Sequence, residues 1–186
     1  MQIEKTTLPD VLLVTPRRFC DDRGWFSETW NQAAFAEAGC ETGYVQDNHS
    51  FSAKAATVRG LHYQSPPHAQ DKLVRCTRGE IIDVAVDARV GSPSYGHWIS
   101  IRLSAQNGQQ LFVPKGFLHG FATLVPDCEV QYRVTDTYAP DCDGSVQWDS
   151  LGIDWQIGDE PTLSAKDMAA PRFEDWHSPF IWNGAQ

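Results

Sequence analysis

Alternation of apolar and polar residues at every second position is the feature that most constrains the fold of this chain. The segment "EIIDVAVDAR", residues 80–89, alternates branched apolar residues with polar or small ones, and "HWISIRLS" repeats the pattern. A turn signal, "QNGQ" at 106–109, then separates this region from a further apolar run, "LFVP". Many short strands divided by regular turns predict a β-sandwich or a barrel.

Helical signals are few and short. The segment 27–39, "SETWNQAAFAEAG", has Ser27 as a capping residue, alanines in its interior and a glycine at its end. The segment 163–170, "LSAKDMAA", predicts one or two turns near the C-terminus. The sequence contains no low-complexity segment, internal repeat or linker, so residues 1–186 are expected to form one mainly β domain with short peripheral helices.

The charge balance and the cysteine pattern narrow the class of partner and the compartment. The chain of 186 residues carries 24 acidic against 15 basic residues, which argues against a nucleic-acid or anionic-membrane partner. Its N-terminus lacks the apolar core of a signal peptide, and no apolar run approaches the roughly 18 residues of a membrane span. Five cysteines, an odd number without a C-x-x-C pair, favour reduced thiols and a cytoplasmic protein.

The stretch "RGLHYQ" raises the question of function. If it is a strand, Leu61 and Tyr63 point to one side, and Gly60, His62 and Gln64 point to the other. An imidazole on an inward face is either a hydrogen-bonded core histidine or a base at the bottom of a pocket. The alternation alone leaves both interpretations open.

Three more polar residues fall on faces that we expect to look inward. Lys72 adjoins an apolar pair in "AQDKLVR", Tyr132 alternates in phase with Val130 and Val134, and His119 lies among apolar residues in "PKGFLHGF". A sandwich that turns such groups inward needs partners or a water-filled space for them. Each residue alone also fits a structural role, because a tyrosine hydroxyl often bonds a backbone carbonyl and a lysine often extends its amine to solvent.

The spacing of the side chains disfavours a metal centre and a serine-hydrolase site. His62 and His68 are six residues apart, which separates them by about 20 Å along a strand. His119 adds no H-x-H pair and no nearby glutamate. The G-x-S-x-G turn that presents a nucleophilic serine does not occur. We therefore expect neither a bound metal nor a serine nucleophile.

Six segments, taken in order, resemble those of a known family. They are "DDRGWFSETW", "RGLHYQSPPHAQDKLVR", "GEIIDVAVDARVGSPSYGHW", "LSAQNGQQLFVPKGFLHGFATL", "YRVTDTYAP" and "LGIDW…LSAKDMAAP". Together they resemble the dTDP-4-dehydrorhamnose 3,5-epimerase family from about residue 8 to about residue 172, and the tail from about residue 173 is left unassigned. The resemblance implies a cupin-type jelly roll, a homodimer, no metal or other cofactor, and epimerisation of a dTDP-linked 4-keto-6-deoxy sugar.

Epimerisation beside a ketone requires a base on one face of the sugar, a stabiliser at the ketone oxygen and an acid on the opposite face. His62 suits the base, because imidazole titrates near neutral pH. Lys72 suits the oxygen as a fixed cation, and Tyr132 suits the acid as a phenol. In this interpretation Gly60 leaves room for the sugar.

The ring of His62 then needs a partner that orients it and stabilises its charged form. The resemblance implies that Asp167 has this role. The pattern Ser164-x-x-Asp167 equally fits a capping box, in which Asp167 only caps a short helix. The resemblance favours the first role, whereas the pattern alone favours the second.

Binding of the nucleotide half calls for cations and rings. Arg23 and Arg59 are candidates for the diphosphate, because an arginine fork matches phosphate oxygens. Phe26 is a candidate for stacking on thymine, and Glu28 and Gln46 are candidates for reading its edge. The resemblance implies further binding positions at Asn48, His119, Phe121, Tyr138 and Lys166. It also implies that "DDRGWFSE" of one subunit completes the site of the other, although "DDRGWF" alone equally fits an arginine paired with a neighbouring aspartate.

Three other functions remain compatible with the sequence: a mono-epimerase acting at C3 or C5 only, a cupin that only binds a nucleotide sugar, and a 3,4-ketoisomerase of similar fold. The joint presence of His62, Lys72 and Tyr132 argues against a pure binding module, since binding needs no base. The "RGLHYQ" segment followed by the later tyrosine argues against the ketoisomerase. The choice between one and two inverted carbons, and between dTDP and UDP, stays open at this point.

Overall fold

The computed structural model describes residues 1–40, 43–158 and 160–184, and within these ranges the chain is mainly β. The strands, in chain order, are β1 (Gln2–Lys5), β2 (Leu12–Thr15), β3 (Arg18–Asp21), β4 (Gly24–Ser27), β5 (Gln46–Ser52), β6 (Val58–Gln64), β7 (Lys72–Arg78), β8 (Glu80–Asp87), β9 (Trp98–Ser104), β10 (Gln110–Val113), β11 (Phe117–Thr123), β12 (Cys128–Val134) and β13 (Asp143–Ser145). The α-helices are α1 (Gln32–Glu37) and α2 (Ala165–Met168), and short 3-10 helices cover Pro140–Cys142 and Phe173–Asp175.

Two antiparallel sheets form the body of the protein. The six-stranded sheet has the order β1-β2-β10-β7-β12-β5, and the five-stranded sheet has the order β13-β6-β11-β8-β9. Apart from the pairs β1–β2 and β8–β9, strands that are neighbours in space come from distant parts of the chain, which is the jelly-roll arrangement. Strands β3 and β4 form a separate hairpin. The predicted mainly β jelly-roll sandwich with short peripheral helices is confirmed.

Apolar side chains from both sheets fill the space between them. Val74, Leu111 and Val130 of the six-stranded sheet belong to one buried cluster with Ile81 and Leu103 of the five-stranded sheet. Burying such side chains stabilises the fold by roughly 1.5–3 kcal/mol for each large one. Because this layer holds the two sheets face to face, polar side chains on the same inner faces also meet there.

Strand β8 is buried on both faces, although the alternation predicted one apolar and one polar face. Its Val84 face packs under Trp155 and Phe180, which belong to the C-terminal part of the chain. Asp83 lies on the other face of β8, which it shares with Ile81 and which looks toward the six-stranded sheet. The acidic residue of this strand is therefore inside the sandwich.

A bulge in β6 changes which residues share the inner face. His119 of β11 lies opposite His62, and Phe121, two residues further along, lies opposite Arg59. Cross-strand neighbours share a face, so His62 and Arg59 both point between the sheets. Strict alternation would put them on opposite sides, and the extra residue of a bulge removes that difference.

Gly60 occupies this bulge with a φ of 135°. A Cβ at this position would lie 2.6 Å from Gly120 Cα and 2.9 Å from the His119 carbonyl oxygen. Glycine alone permits this backbone conformation and this approach of two strands. The structure therefore gives Gly60 a role in the packing of β6 against β11, and its role in leaving room for a sugar stays a prediction.

Helix α1 begins later than the predicted segment 27–39. Ser27 ends strand β4, and Asn31 is the N-cap, whose side chain accepts a 3.1 Å hydrogen bond from the backbone three residues on. The helix packs Phe35 against Phe112 on the outer face of the six-stranded sheet. Helix α2 lies within the second predicted segment. No helix in the described ranges is long and apolar enough to cross a membrane.

The C-terminal segment, which the sequence left unassigned, covers the outer face of the five-stranded sheet. The indole of Trp176 donates a 3.0 Å hydrogen bond to the hydroxyl of Tyr63, and the ring of Phe180 also contacts Tyr63. The backbone N–H of Val90 donates to the Phe180 carbonyl at 2.9 Å. These contacts fasten the segment behind β6 and β8, and residues 185 and 186 lie outside the described residues.

Candidate active site

His62 and Asp167 form a hydrogen-bonded pair between β6 and α2. Nε2 of His62 lies 2.5 Å from Oδ1 of Asp167, and the second carboxylate oxygen accepts a 2.8 Å bond from the Ser164 hydroxyl. The aspartate side chain is 3% exposed and the histidine side chain 33%. Burial alone would raise the pKa of Asp167, but the hydrogen bonds and charges around it hold that pKa below its usual value. Asp167 is therefore ionised and fixes Nε2, which leaves Nδ1 available.

Ser164, and not Asp167, caps helix α2. The Ser164 hydroxyl accepts a 3.1 Å hydrogen bond from the backbone N–H of Asp167. The Asp167 carboxylate points instead at His62 and at the Ser164 hydroxyl. The helix start and the histidine partner, which the sequence presented as alternatives, therefore occur together, and the cap helps to hold the carboxylate in position.

A second histidine–aspartate pair lies beside the first. His119 is the cross-strand neighbour of His62, and its Nε2 lies 2.9 Å from Oδ1 of Asp83. Both side chains are buried, and burial lowers the pKa of His119 against the pull of the carboxylate. Oδ2 of Asp83 makes no hydrogen bond within the described part of the chain. Asp83 was not among the residues predicted from the sequence, because its one signal was an acidic residue inside an apolar strand.

Lys72 and Tyr132 approach the same space from the six-stranded sheet. Both occupy inner-face positions, on β7 and β12. Burial lowers the pKa of Lys72 to about 8, while Asp83 and Asp143 oppose that shift and Lys166 adds to it. Burial also raises the pKa of Tyr132, so its phenol is protonated at neutral pH. An ammonium group and a phenol thus face the two imidazoles across the sandwich.

Asp143 joins two of the predicted binding residues. Its Oδ2 accepts a 2.5 Å bond from Nζ of Lys166 and a 3.3 Å bond from the hydroxyl of Tyr138. Strand β13 pairs with β6, where Asp143 lies opposite Gln64, two residues from His62. Asp143 was not predicted from the sequence, because "DCDGS" carries no alternation that would indicate a strand.

Four further predicted binding residues lie on the inner faces. Gln46 and Asn48 belong to the edge strand β5 and are joined by a 2.8 Å hydrogen bond. Arg59 donates across the sandwich to the Ser52 hydroxyl at 3.2 Å and to the backbone carbonyl of Phe51 at 3.0 Å. Phe121 is buried in the core between the sheets. The structure therefore brings these four residues to the side of the sheets that carries the histidines.

Three predicted binding residues of the N-terminal segment are exposed and lie apart from the histidines. Arg23 lies between β3 and β4 with a side chain that is 90% exposed, and Phe26 of β4 is 71% exposed. Arg23 pairs with Asp21 at 2.5 Å, and Glu28 is exposed just after the hairpin. Within the described ranges no hydrogen bond, ion pair or ring contact connects them to His62 or its neighbours. One chain alone does not bring these three residues to the histidines.

The interior of the sandwich thus holds an imidazole with a carboxylate partner, an ammonium group and a phenol. Such a set can remove a proton beside a carbonyl, balance the charge that develops and return a proton from the opposite side. The described residues contain no group of three histidine, cysteine or acidic side chains arranged to hold a metal ion. The fold and these groups define the class as a jelly-roll isomerase.

Comparison with known proteins names the family. Residues 5–175 match the family model described as dTDP-4-dehydrorhamnose 3,5-epimerase. The chain is 49% identical over 174 residues to the dTDP-4-dehydrorhamnose 3,5-epimerase of Salmonella typhimurium, which covers 92% of this chain and 94% of that relative. This chain belongs to the dTDP-4-dehydrorhamnose 3,5-epimerase family, so the resemblance seen in six segments is confirmed.

Solved structures agree in fold. A Bacillus anthracis dTDP-4-dehydrorhamnose 3,5-epimerase with TDP and PPi bound is 45% identical, with a TM-score of 0.89 over 92% of this chain and 99% of that one. A Legionella pneumophila dTDP-6-deoxy-D-glucose-3,5-epimerase in complex with dTDP-4-keto-L-rhamnose is 37% identical, with a TM-score of 0.94 over 99% of each chain. The cupin-type jelly roll is thereby confirmed. The Legionella match continues through the C-terminal segment, beyond the end of the family model.

Proposed function

We propose that this protein epimerises dTDP-4-keto-6-deoxy-D-glucose at C3 and C5, giving dTDP-4-keto-L-rhamnose for dTDP-L-rhamnose biosynthesis. One observation carries the proposal: His62, paired with Asp167 at 2.5 Å, and Tyr132 occupy inner-face positions on opposite sheets. A base and an acid on two sides of one space are what inversion at a carbon requires. The family name and the sugar in the Legionella structure support the same substrate.

His62 is the base in this mechanism. The C4 ketone makes the hydrogens on C3 and C5 removable, because the electron pair left behind delocalises onto the ketone oxygen. Since Asp167 holds Nε2 of His62, Nδ1 receives the substrate proton. The ionised Asp167 then stabilises the imidazolium that forms.

Lys72 and Tyr132 complete the transfer. With a pKa of about 8, Lys72 is mostly protonated at neutral pH and stabilises the enolate oxygen. Tyr132 stays protonated because burial raises its pKa, and it returns a proton to the face opposite His62. The sugar is inverted when the incoming proton comes from the phenol and not from the imidazolium.

The nucleotide half of the substrate binds beside the proton-transfer groups, between the two sheets. Arg59, already held by the Ser52 hydroxyl, pairs with the diphosphate, and the remaining contacts come from the predicted binding set. The members of that set that belong to the same chain as Arg59 are Gln46, Asn48, His119, Phe121, Tyr138 and Lys166. Arg23, Phe26 and Glu28 are supplied by a second copy of the chain, because within one chain they carry exposed side chains.

The assembly is a homodimer in which the N-terminal segment of each subunit completes the site of the other. The aromatic pair Phe19 and Phe26, opposite each other on the hairpin and both exposed, supports this assembly. Each subunit is one jelly-roll domain, since the C-terminal segment packs on the five-stranded sheet. The protein works in the cytoplasm, which the five free cysteines support.

Proton NMR in D2O tests the function. Purified protein is mixed with dTDP-4-keto-6-deoxyglucose, and deuterium incorporation and configuration are followed separately at C3 and C5. The expected result is exchange and inversion at both carbons. Exchange at one carbon only would replace the proposal with a mono-epimerase, and absence of exchange despite binding would replace it with a binding module. Parallel runs with the UDP-linked sugar measure the nucleotide preference.

A further inference from the structure

The hairpin of β3 and β4, residues 18–27, is called the arm here, and one side chain ties it to the sheets. The guanidinium of Arg18 donates 2.6 Å hydrogen bonds to two successive carbonyl oxygens, those of Ala105 and Gln106. Among the hydrogen bonds of the described residues, those that join the arm to either sheet or its turns come from Arg18. A charged donor shared between two carbonyls forms a strong and directional anchor.

The two faces of the arm have different surroundings. Arg18 stacks on the ring of Trp25 with 4.4 Å between the guanidinium carbon and the ring centroid. Trp25 lies opposite Cys20 in the register, so it shares the face of Arg18, whose guanidinium reaches the body, although Trp25 itself is 59% exposed. Phe19 and Phe26 form the opposite face and are exposed. The Arg18 anchor thus decides which way the aromatic pair points.

The turn that receives Arg18 is itself rigid. Asn107 holds it, since its side chain accepts from the backbone N–H of Ser104 at 3.0 Å and donates to the Arg102 carbonyl at 2.9 Å. Gly108 follows with a φ of 64°, and a Cβ there would lie 2.7 Å from Nη2 of Arg18. The turn therefore offers two fixed carbonyls and an opening in which the guanidinium fits.

We propose that Arg18 is a positioning residue for nucleotide binding: by anchoring the arm to the 105–108 turn, it orients Arg23 and Phe26 toward the nucleotide site of a second copy. The inference rests on the proposed function, in which the arm completes the partner's site. Arg18 itself touches no substrate. Its loss leaves the proton-transfer groups on the sheets unchanged and affects only how well the nucleotide half is held.

The test compares Arg18→Gln with the charge-matched control Arg102→Gln. Arg102 lies on β9, two residues before that strand ends at the same turn, but its side chain pairs with Glu80 and Gln156 instead of the arm. We expect Arg18→Gln to raise KM for the dTDP-sugar and Kd for dTDP about tenfold while kcat stays within about twofold. Arg102→Gln is expected to leave all three constants at the wild-type values.

A second variant reaches the same contact from the turn. Gly108→Ala puts a methyl group 2.7 Å from Nη2 of Arg18, so the guanidinium must move away, and the change should give the same rise in KM without altering the arm. If both changes act through one contact, the double variant has the KM of Arg18→Gln alone, whereas independent effects would multiply. Multiplied effects, an unchanged KM in Arg18→Gln, or a fall in kcat with KM unchanged would each overturn the proposal.

Arg23→Gln separates this inference from the function on which it rests. If Arg23→Gln weakens dTDP binding and Arg18→Gln does not, the arm contributes to the site but Arg18 does not position it. If neither changes dTDP binding while the wild type epimerises the sugar, the arm is not part of the site and the inference fails. If wild type gives no exchange in D2O, the proposed function fails first. Light scattering is run on every variant, and a smaller mass for Arg18→Gln would show an effect on assembly and overturn the positioning role.

Discussion

His62 and His119 lie directly opposite each other on neighbouring strands, and each imidazole is bonded through Nε2 to its own aspartate. The two pairs differ in how far solvent and substrate can reach the imidazole. The side chain of His62 is one-third exposed, whereas that of His119 is almost fully buried. A proton can leave a substrate only for a base that the substrate can reach, so the two neighbouring imidazoles are expected to have different roles.

His62→Ala is expected to lower the rate of deuterium exchange at C3 and at C5 together, because one base serves both carbons. Loss of a general base typically costs about 10²–10⁴-fold in rate. NMR in D2O measures both positions in one sample. His49→Ala is the matched control, since His49 is an exposed histidine on β5 that pairs with Glu129 at 3.1 Å. Near wild-type exchange in His62→Ala would show that His62 is a core residue only.

Asp167→Asn is expected to slow exchange less than His62→Ala does, because the amide still contacts the ring but no longer stabilises the imidazolium. Asp136→Asn, which alters the more exposed pair with His68, is the control for loss of an aspartate beside a histidine. A variant with a lower Tm and an unchanged rate would reduce Asp167 to a structural residue.

The same pair makes a prediction about stability and pH. The pKa of Asp167 is lower in the folded protein than its ordinary value, so the ionised form contributes stability above the unfolded pKa of about 3.9. That contribution is lost as pH falls through the folded pKa. The Tm difference between wild type and Asp167→Asn should therefore be present at neutral pH and shrink in acid. A difference that does not change with pH would contradict the assignment of charge to Asp167.

Lys72 should set the alkaline limit of activity. Its pKa of about 8 means that the cation needed at the enolate oxygen is lost as pH rises through that value, so kcat is expected to fall above about pH 8. Asp83 opposes the lowering of this pKa, and Asp83→Asn should move the alkaline limb to lower pH. Asp47→Asn, on the outer face beside Arg133, should leave it in place. If the alkaline limb of the pH profile does not move in Asp83→Asn, Lys72 is not the group that sets the alkaline limit of activity.

The strand periodicity predicted the inner position of Tyr132 and that of His62, because neighbouring β-residues alternate between faces. Extended to Arg59, the same rule would put it on the side opposite His62, whereas the bulge between the two adds a residue that only the pairing with β11 reveals. Alternation fails wherever a partner strand imposes a local irregularity.

Asp83 and Asp143 could not be found from periodicity for a different reason. The role of Asp83 depends on the C-terminal segment, which buries the far side of β8 and leaves the acidic face inside. Asp143 reaches the site because β13 pairs with β6, about eighty residues earlier in the chain. Both depend on contacts between distant segments, which the local pattern does not contain.

Tyr132→Phe separates removal of a proton from its return. The change keeps the ring, its packing and the base, and deletes only the hydroxyl. His62 can still take a proton and, with no donor opposite, gives one exchanged with solvent back to the same face. The variant should therefore incorporate deuterium at C3 or C5 while forming little inverted product.

The ratio of inversion to exchange, measured by NMR on one sample of Tyr132→Phe in D2O, decides the role of this hydroxyl. Tyr95→Phe removes a hydroxyl from a ring that packs on Phe173, away from the histidine pairs, and should leave the ratio at the wild-type value. Loss of a structural hydroxyl costs roughly 1 kcal/mol of stability and gives no reason for the ratio to change. An unchanged ratio in Tyr132→Phe would remove Tyr132 from the mechanism and assign the return of the proton to another donor on the six-stranded sheet, with Lys72 the next to substitute.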